Sequence, residues 1–513
     1  MGRCYRTSLH KNIILLLAII FFLLVLVASI PRKTGKLPPG PTPLPLIGNI
    51  HQLVYQAWKG KGIVAALDFY RKKYGNAFTV WLGPIPAVNI TNFDTAHEIF
   101  VKNGKKCVDR QLAPIFEHIT GGLGILTANG EGWAEMRRFT LLAFRKLGVG
   151  GAQMEKRIMN ELDGRCSELN QEISQAGRAI VPVQFFDLTV GSVINTLLVG
   201  KRFDENTKDD FLVIKKLFDD SAETFNLFDL SVPVWLLKWF FPWRYNMNLN
   251  ARRTIRNHVG KEAVERLERV ESGELILEEQ EEPKDFVDVF LGKMREEREK
   301  DGGDDKNYNM SSLKFVLQDL WLAGQGTTAT TLYVGFMLLA VHQDIIQKVR
   351  KELWKVTNNS RNLSLQDRSN TPYLNATIAE IQRHASILNV NFWRINSETI
   401  HFDGYEVAPG ALMTAQLGAL HVNEELFESP EKFDPERFLR DEKLIQQLIP
   451  FGIGKRSCVG EQIAKSELYL VFGNLLLRYD IKPHGPILSS YDVFPYGSAK
   501  FPDVSAKLEF TRI

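Results

Sequence analysis

The hydrophobic pattern predicts a mostly helical fold. Apolar residues recur at three-to-four-residue spacing along most of the chain, most continuously over residues 312–351, and this period predicts helices with a buried face. Residues 78–90 predict two strands about a Gly-Pro turn. Residues 402–413 predict a second hairpin, with turns at Asp403-Gly404 and Pro409-Gly410. Because no strand–helix–strand alternation of about thirty residues appears, the predicted fold class is mostly α with a small β region.

An uninterrupted apolar run near the start of the chain predicts a membrane anchor. Residues 13–30 contain no charged side chain, and about 20 apolar residues cross a bilayer core of roughly 30 Å. A cleaved signal peptide is the alternative, but its apolar region is usually only about 7–15 residues long. The run also ends in Ser29-Ile30-Pro31, which is a poor cleavage site. We therefore predict a retained transmembrane segment over residues 13–30, after a short basic segment over residues 1–12.

The residues after the anchor predict a stiff connection. Residues 31–49 are basic and then proline-rich, and five prolines after residue 37 favour an extended spacer. A proline-rich ligand for another protein is the alternative reading. Basic residues are equally frequent on both sides of the anchor, so charge does not settle its orientation. We expect the five Asn-x-Ser/Thr sequons to be unused, with the body of the chain on the cytosolic side.

Composition narrows the class of protein. The chain has 513 residues, of which 44% are hydrophobic and 24% charged, so it can bury a large core, and length alone allows about three domains. A net charge of +3 is too small to imply nucleic acid as a partner. The four cysteines contain no CxxC pair, so we predict neither a zinc site nor a disulfide framework. Such sparse cysteines fit a reducing compartment.

The candidate chemistry lies in residues 451–460. Two glycines and a short polar run predict a loop whose backbone bends freely and approaches a flat partner closely. The pattern becomes helical from Gly460, so Cys458 stands where the positive end of a helix dipole favours a thiolate. With the charge of Arg456 nearby, this arrangement suits axial ligation of a heme iron whose propionates need a cation. The alternative is a small buried hydrophobe, as most free cysteines are.

The same ten residues resemble the heme-binding signature of the cytochrome P450 family, Phe-x-x-Gly-x-Arg-x-Cys-x-Gly. Its five fixed positions fall on Phe451, Gly454, Arg456, Cys458 and Gly460. Five matches within ten residues make this resemblance specific. It implies heme b as the cofactor and Cys458 as the axial ligand of the heme iron. The other four residues would belong to the cofactor-binding loop.

Three further residues are expected to bind the heme propionates. Trp133 and Arg137 are four residues apart on a predicted helix, so both side chains lie on one face and can donate to a carboxylate. An ordinary amphipathic helix with a cation–π pair is the alternative. The pair resembles the Trp-x-x-x-Arg helix that binds the propionates in the family. Arg394 stands where the resemblance implies another propionate-binding cation.

The longest apolar pattern, over residues 312–351, contains a cluster of glycine and threonine residues in its middle. Glycine and threonine are costly inside a helix, and a cluster of them is typical of a kink or of close ligand approach. The stretch resembles the oxygen-binding groove of the family, Ala/Gly-Gly-x-Asp/Glu-Thr. Ala323, Gly324 and Thr327 match this pattern and are the predicted catalytic positions.

Gly326 departs from that pattern, because it replaces an acid that helps to deliver protons during oxygen activation. Gln325 lies about 100° away around the helix, so it is no obvious substitute. Proton delivery would then depend on Thr327 and water. We expect weaker coupling of electron use to product, or a reaction that needs no such proton.

A charge network is expected to brace the cysteine loop. Glu380 and Arg383 are three residues apart on a predicted helix. An isolated Glu-x-x-Arg is a weak signal, but here it precedes Arg437 and then the cysteine loop, in the order found in the family. The resemblance implies that these three residues form a buried network with a structural role.

An aromatic stretch over residues 225–243 has two interpretations. It is either a core helix or an interfacial surface that enters the membrane and admits lipophilic substrates. A similar region lies over the substrate channel in the family. The segments expected to line the substrate pocket are apolar and unspecific: residues 113–121, 225–243, 387–392 and 494–498.

The resemblance extends over almost the whole chain and is closest to animal microsomal members that oxidise drugs, steroids and fatty acids. It implies a single large heme-thiolate domain over residues 50–513, behind the anchor and held at the endoplasmic reticulum membrane with its catalytic domain in the cytosol. The implied reaction inserts one atom of O2 into a lipophilic substrate. The chain shows no dinucleotide fingerprint, so electrons are expected from NADPH through NADPH-cytochrome P450 reductase, with cytochrome b5 as an optional second partner.

Two other functions remain open on the sequence. A heme-thiolate peroxide isomerase or dehydratase needs no reductase, and Gly326 makes it plausible. A catalytically weakened heme protein that binds or senses ligands is the second alternative. The complete cysteine signature and Thr327 argue against the latter.

Overall fold

The computed structural model describes residues 16, 18–23, 25, 35–60, 62–111, 114–224, 232–275, 283–301, 307–388, 391–485 and 506–513. The chain groups into two compact units. The first unit comprises Met1–Gln111, Val390–Leu420 and Ile453–Lys455. The second comprises Leu112–Asn389, His421–Gly452 and Arg456–Ile513.

Helices dominate the described residues, as the hydrophobic period predicts. The helices are α1 Ile50–Lys59, α2 Ile63–Tyr74, α3 Phe93–His97, α4 Pro114–Thr120, α5 Gly130–Lys146, α6 Ala152–Ala176, α7 Val183–Val199, α8 Lys208–Thr224, α9 Val234–Phe240, α10 Pro242–Glu271, α11 Phe286–Asp301, α12 Met310–Val341, α13 Gln343–Thr357, α14 Pro372–Ala385, α15 Leu417–His421, α16 Arg437–Arg440, α17 Lys443–Gln447 and α18 Glu461–Arg478. The strands are β1 Ala77–Leu82, β2 Ile85–Ile90, β3 Ala179–Ile180, β4 Arg394–Ile395, β5 Ile400–Phe402, β6 Tyr405–Val407, β7 Leu412–Ala415, β8 Tyr479–His484 and β9 Lys507–Arg512. A π-helical turn, Glu98–Lys102, continues α3, and 3₁₀ turns occupy Leu365–Asn370 and Gly454–Arg456.

The first unit contains a four-stranded sheet in the order β1-β2-β7-β4. β1 and β2 pair antiparallel with Ala77 opposite Ile90, which confirms the strand pair predicted over residues 78–90. β7 pairs in parallel with β2 and antiparallel with β4. Apolar side chains from α1, α2 and the sheet pack together around Phe78, so the sheet and these helices share one core.

The second predicted hairpin is displaced from its expected position. β5 and β6 form the hairpin, and its turn is at Asp403-Gly404, where both residues have positive φ. Pro409-Gly410 instead leads into β7, which belongs to the four-stranded sheet. A local pattern shows where a chain turns but not which distant strand its next segment will pair with.

The downstream part of the proline-rich segment packs against β1. The backbone N–H of Thr79 donates to the carbonyl of Pro39 at 2.9 Å, and its hydroxyl donates to the carbonyl of Pro38 at 2.9 Å. A side chain at Gly40 would overlap the carbonyl of Thr79, so the approach is close enough to require glycine. Residues 38–40 are therefore fixed to the first unit.

The second unit is built around α12. This helix has 32 residues, most of them buried, and it packs against α7, α10, α14 and α18. Gly335 allows close packing of α18 and α14, since a Cβ there would overlap Phe472 of α18 and crowd Ile381 of α14. A three-stranded sheet, in the order β3-β9-β8, completes this unit.

Most of the predicted anchor, residues 13–30, lies outside the described residues. Its described members, residues 16, 18–23 and 25, are helical, and the large apolar side chains among residues 16–23 are exposed. Within the described part of the chain, no single helix is long and apolar enough to cross a membrane. The bent pair Met310–Val341 and Gln343–Thr357, with 106° between its helices, meets that test by length and composition only.

Candidate functional site

The cysteine loop is closed by its own backbone. The N–H of Cys458 donates to the carbonyl of Phe451 at 2.8 Å, and Gly452 has a φ of 73°, which favours glycine. Helix α18 begins three residues after the cysteine, with Gly460 as its N-cap. The Cys458 side chain is exposed, whereas the other described cysteines, Cys107 and Cys166, are buried. The loop therefore presents a thiol at the start of a helix, as the sequence predicts.

Gly454 also requires glycine, for a different reason. This residue belongs to the first unit, has a φ of 76°, and leaves no space for a Cβ against the carbonyl of Phe100. Gly460 is less constrained, because a Cβ added there would meet the sulfur of Cys458 only at 4.0 Å, an ordinary contact distance. Of these two glycines of the signature, Gly454 is the one that the local packing demands.

Arg456 and Trp133 form a tight cation–π pair. The guanidinium carbon of Arg456 lies 3.6 Å from the centre of the Trp133 ring. Its Nη2 donates to the carbonyl of Ala128 at 2.9 Å and to the Oδ1 of Asn129 at 2.8 Å. Asn129 is the N-cap residue of α5, so the arginine is joined to the start of the helix that carries Trp133. Both side chains are buried.

Arg137 links the same helix to the cysteine loop. Its Nη2 lies 3.4 Å from the hydroxyl oxygen of Ser457, and its guanidinium carbon is 6.0 Å from the Trp133 ring centre. Burial lowers the pKa of Arg137, and the negative charge of Cys458 opposes that shift. The structure thus brings Trp133, Arg137, Arg456 and Cys458 together. Their roles as heme ligand and propionate donors remain predictions.

Arg394 is held in the first unit. Its Nη2 donates to the carbonyl of Ile453 at 2.7 Å, and its guanidinium carbon lies 4.6 Å from the Phe100 ring centre. The side chain is buried at the edge strand β4. Its proposed contact with a propionate remains a prediction.

Two of the predicted catalytic residues are exposed on a buried helix. Ala323 and Thr327 are both exposed although most of α12 is buried. The Thr327 hydroxyl donates to the carbonyl of Ala323 at 2.8 Å. A Cβ at Gly324 would come within 2.9 Å of Ile194, so this glycine allows α7 to pack closely. The open positions therefore lie on one face of the helix, and tight packing lies on another.

Gly326 has room for a side chain. A Cβ there would have Phe218 as its nearest neighbour, at 4.0 Å, which is an ordinary contact. Gln325 is fully buried and its amide has no hydrogen-bond partner. The amide of Gln325 and the hydroxyl of Thr327 thus lie in different surroundings. That Gln325 does not replace the missing acid remains a prediction.

Glu380, Arg383 and Arg437 form one buried network. Arg383 donates to both carboxylate oxygens of Glu380, at 2.8 and 2.9 Å, and Arg437 donates to one of them at 3.2 Å. The backbone N–H of Asp434 adds a further bond at 2.9 Å. Burial alone raises the pKa of Glu380, but hydrogen bonds from Arg383 and His384 outweigh it and bring the pKa to about 2. The carboxylate is therefore charged and satisfied at neutral pH.

The sequence did not indicate three polar residues of this unit. Asn129 binds Arg456, and Asp319 accepts the N–H groups of Ile125 and Leu126 at 2.8 and 2.9 Å. Glu467 is buried on α18 beside Thr328, and burial raises its pKa well above the ordinary value. Asn129 could have been found as a capping residue before a helix. No local sequence pattern identifies Asp319 or Glu467.

The comparisons with known proteins agree with this geometry. A family model described as Cytochrome P450 matches residues 38–495. The chain belongs to the cytochrome P450 family. It is 62% identical over 501 residues to the probable cytochrome P450 cyp-35D1 of Caenorhabditis elegans, covering 98% of this chain and 100% of the relative. Cytochrome P450 2C3 of Oryctolagus cuniculus is 33% identical over 466 residues, which cover 90% of this chain and 91% of the relative. Cytochrome P450 2H2 of Gallus gallus is 32% identical over 482 residues, 92% of each chain.

As a cytochrome P450, the protein is a monooxygenase with heme b as its cofactor. The residues of the second unit fit that group. The indole N–H of Trp133 is buried without a hydrogen-bond partner, so it is a donor that a propionate can satisfy. The Cys458, Ala323 and Thr327 side chains are exposed, as an axial ligand and an oxygen-binding face would have to be.

Proposed function

We propose that the protein is a membrane-anchored monooxygenase of lipophilic organic substrates such as xenobiotics, steroids or fatty acids. The supporting observation is an exposed Cys458 on a loop that Arg456, Trp133 and Arg137 surround, together with an open Ala323–Thr327 face on a buried helix. In the overall reaction, substrate, O2, NADPH and a proton give hydroxylated substrate, water and NADP⁺. Electrons come from NADPH-cytochrome P450 reductase, with cytochrome b5 as an optional second donor.

Each residue has a distinct task in this proposal. Cys458 holds the heme iron as a thiolate, and Phe451, Gly454 and Gly460 shape its loop. Arg456, Trp133, Arg137 and Arg394 bind the propionates. When bound, heme supplies the activation of O2 that allows one oxygen atom to enter an unactivated C–H bond.

In this proposal, helix α12 contributes the residues that line the oxygen-binding site. Ala323 and Gly324 have small side chains and leave space, and the Thr327 hydroxyl can orient water by turning from the carbonyl that it now contacts. Gly326 supplies no acid at the position where the family pattern has one. Protons are therefore delivered through Thr327 and water.

The membrane is part of the proposal. Residues 13–30 anchor the chain in the endoplasmic reticulum membrane, with the catalytic domain in the cytosol. The aromatic side chains around α9 support a second contact, since Trp235, Trp239 and Trp243 are 61%, 81% and 59% exposed. Exposed aromatic side chains beside basic ones are typical of a surface that enters the lipid interface. This exposure favours the interfacial interpretation over a core helix for residues 234–243.

A carbon-monoxide difference spectrum of the reduced holoenzyme tests the first claim. We expect a Soret band typical of thiolate ligation, and the Cys458→His variant should lose that band while it still binds heme. Metabolite profiling with the reductase and NADPH then tests turnover. An unaltered thiolate band in the variant would contradict the assignment of Cys458.

The peroxide isomerase is the second candidate, and Gly326 is the observation that favours it. It predicts turnover of a lipid hydroperoxide without NADPH or reductase. Turnover that requires both components supports the monooxygenase. Ligand-shifted spectra without NADPH consumption would instead indicate a binding or sensing protein.

A further inference from the structure

A cluster of two carboxylates and one ammonium joins α7 to α8. The Nζ of Lys215 on α8 lies 3.2 Å from the Oδ2 of Asp187 on α7, and it also pairs with Asp219, one turn further along α8. The side chains of Asp187, Lys215 and Asp219 are 8%, 14% and 30% exposed. When all three groups are ionised, the cluster carries one uncompensated negative charge in a largely dry site, which is costly.

This excess charge acts on Asp187. Burial raises the pKa of Asp187 to about 7, against the attraction of Lys215 and with the help of the charge of Asp219. Burial alone lowers the pKa of Lys215, but the two carboxylates outweigh it and raise that pKa, so the ammonium stays charged at neutral pH. The cluster is therefore neutral below about pH 7 and gains its net negative charge above that pH.

The helix that packs most closely on this part of α7 brings no charge to Asp187. Phe186, the preceding residue, stacks on Phe336 of α12. The charged residues of α12, Lys314 and Asp319, lie more than four helical turns before Phe336. Among the described residues, the two partners on α8 are the charged groups that shift the pKa of Asp187.

The cluster holds the part of α8 that approaches Gly326. Near the start of α8, Phe211 is fully buried and packs against Trp321 of α12, with ring centres 5.9 Å apart. Two turns later, Phe218 is the nearest neighbour of Gly326, at 4.0 Å from the position of an added Cβ. Lys215 lies between these two phenylalanines on the same face of α8. Its ion pairs therefore hold the half of α8 that carries Phe218.

We propose that Asp187, Lys215 and Asp219 form a proton-controlled latch, which holds α8 on α12 while one carboxyl is protonated and releases α8 when both are ionised. Release lets water hydrate the excess charge and moves Phe218 away from Gly326. The link to substrate access rests on the proposed monooxygenase function, in which Gly326 belongs to the oxygen-binding stretch. Deprotonation of the latch thus opens that stretch of α12.

The direction of the response follows from the number of bound protons. The pKa of Asp187 is about 7 in the closed latch, and in an open, hydrated latch it approaches the ordinary value of 3.8. The closed latch therefore binds more protons between these two values, so opening becomes more favourable as the pH rises toward 7 and levels off above it. His258 on α10 has the opposite effect. Burial beside Asp210 of α8 lowers its pKa, so its protonation would favour opening as the pH falls.

Hydrogen–deuterium exchange of residues 208–224 in the full-length holoenzyme tests the latch. In wild type, we expect protection factors, corrected for the intrinsic pH dependence of exchange, to fall at least about tenfold between about pH 5.5 and about pH 8. Asp187→Asn keeps the shape of the protonated carboxyl and should be equally protected at both pH values. Wild-type protection that is equal at both pH values, or that rises with pH as His258 would cause, would overturn the proposal.

Asp220→Asn is the matched control, because Asp220 pairs with Lys216 on the same helix, where the side chains are 54% and 75% exposed. It should keep the wild-type pH dependence, and an equal effect of Asp187→Asn and Asp220→Asn would refute the latch. If Asp187→Asn loses its thiolate spectrum, Lys215→Met replaces it. The fall in protection should then extend to higher pH, because neither carboxylate retains its cation. A fall that ends at the wild-type pH contradicts the proposal.

Access to the pocket is tested with carbon monoxide, a neutral probe that does not titrate. Its recombination after photolysis from the reduced holoenzyme should become faster between the same two pH values in wild type but not in Asp187→Asn. If exchange and recombination follow this pattern but no oxygenated product forms with reductase and NADPH, the monooxygenase assignment fails and the latch stands. If substrates are oxidised and protection is independent of pH, the latch fails and the enzyme assignment stands.

Discussion

At the scale of single residues, Gly326 has the space for the acid that the family pattern places there. A Cβ at this position meets Phe218 at 4.0 Å, so Gly326→Glu introduces a carboxyl without backbone overlap. We predict that this variant forms more product per NADPH, at least about twofold, because a positioned acid accelerates proton transfer by orders of magnitude. The measurement compares product formed with NADPH consumed in wild type and variant.

Gly326→Gln is the control for this substitution, since glutamine has a similar shape but supplies no acidic proton. It should leave coupling at the wild-type value. A wild-type enzyme that is already well coupled, and unchanged by glutamate, would show that Thr327 and water suffice. An equal gain with glutamine would attribute the effect to shape.

Residue positions were predictable from the sequence where their spacing is local. Trp133 and Arg137 are one helical turn apart, and Cys458 follows Arg456 by two residues, so each pair is read from a short window. Asp319, by contrast, binds the N–H groups of Ile125 and Leu126, almost two hundred residues earlier and outside any helix. Helical periodicity shows that a position faces inward but not which distant side chain it meets.

At the scale of elements, α14 holds the segment that precedes the cysteine loop through the carboxylate of Glu380. Glu380 is fully buried and accepts bonds from Arg383, Arg437 and the N–H of Asp434. Replacing it by glutamine leaves two buried guanidinium groups without their anion. We predict that Glu380→Gln lowers the free energy of unfolding by about 3–5 kcal/mol. Denaturant unfolding of the holoenzyme at pH 7 measures the loss.

The same carboxylate predicts a pH dependence. The pKa of Glu380 is about 2 in the fold, against an ordinary value of 4.5, so the folded state binds fewer protons than the unfolded state in that interval. Its contribution is therefore present above about pH 4.5 and is lost as the pH falls toward 2. Glu380→Gln should lack this part of the acid-induced loss of stability.

Glu436→Gln is the matched control, because Glu436 pairs with Lys348 at 2.6 Å where both side chains are about half exposed. Exposed pairs contribute only about 0–1 kcal/mol. Equal effects of the two substitutions would contradict a special role for the buried network.

Elements were predictable from the sequence except where pairing is distant. The strand pair of residues 78–90 was read correctly because both strands and their turn are contiguous. The strand over Leu412–Ala415 was assigned to a local hairpin, yet it pairs with Ile85–Ile90, more than three hundred residues earlier. Which distant strands pair depends on which strand at the edge of the sheet is still unpaired once the other segments have folded.

At the scale of the whole molecule, the exposed aromatic surface of α9 and the start of α10 leads to a prediction: we expect residues 35–513 to contact lipid even without residues 13–30. Trp239 and Phe240 are 81% and 67% exposed, and Lys238 and Arg244 accompany them. We predict that a chain lacking residues 1–34 still binds phospholipid vesicles. Transfer of one aromatic side chain from water contributes roughly 1.5–3 kcal/mol, so Trp239→Glu should weaken binding at least tenfold in vesicle sedimentation.

Trp354→Glu is the control for that substitution, since Trp354 is 41% exposed but belongs to α13 and not to the aromatic stretch. It should bind vesicles as the parent chain does. Each variant must retain the thiolate spectrum, so that weakened binding cannot arise from unfolding. If both substitutions weaken binding equally, the lipid contact is unspecific. If the shortened chain does not bind at all, residues 13–30 are the sole attachment, and lipophilic substrates must reach the body through water.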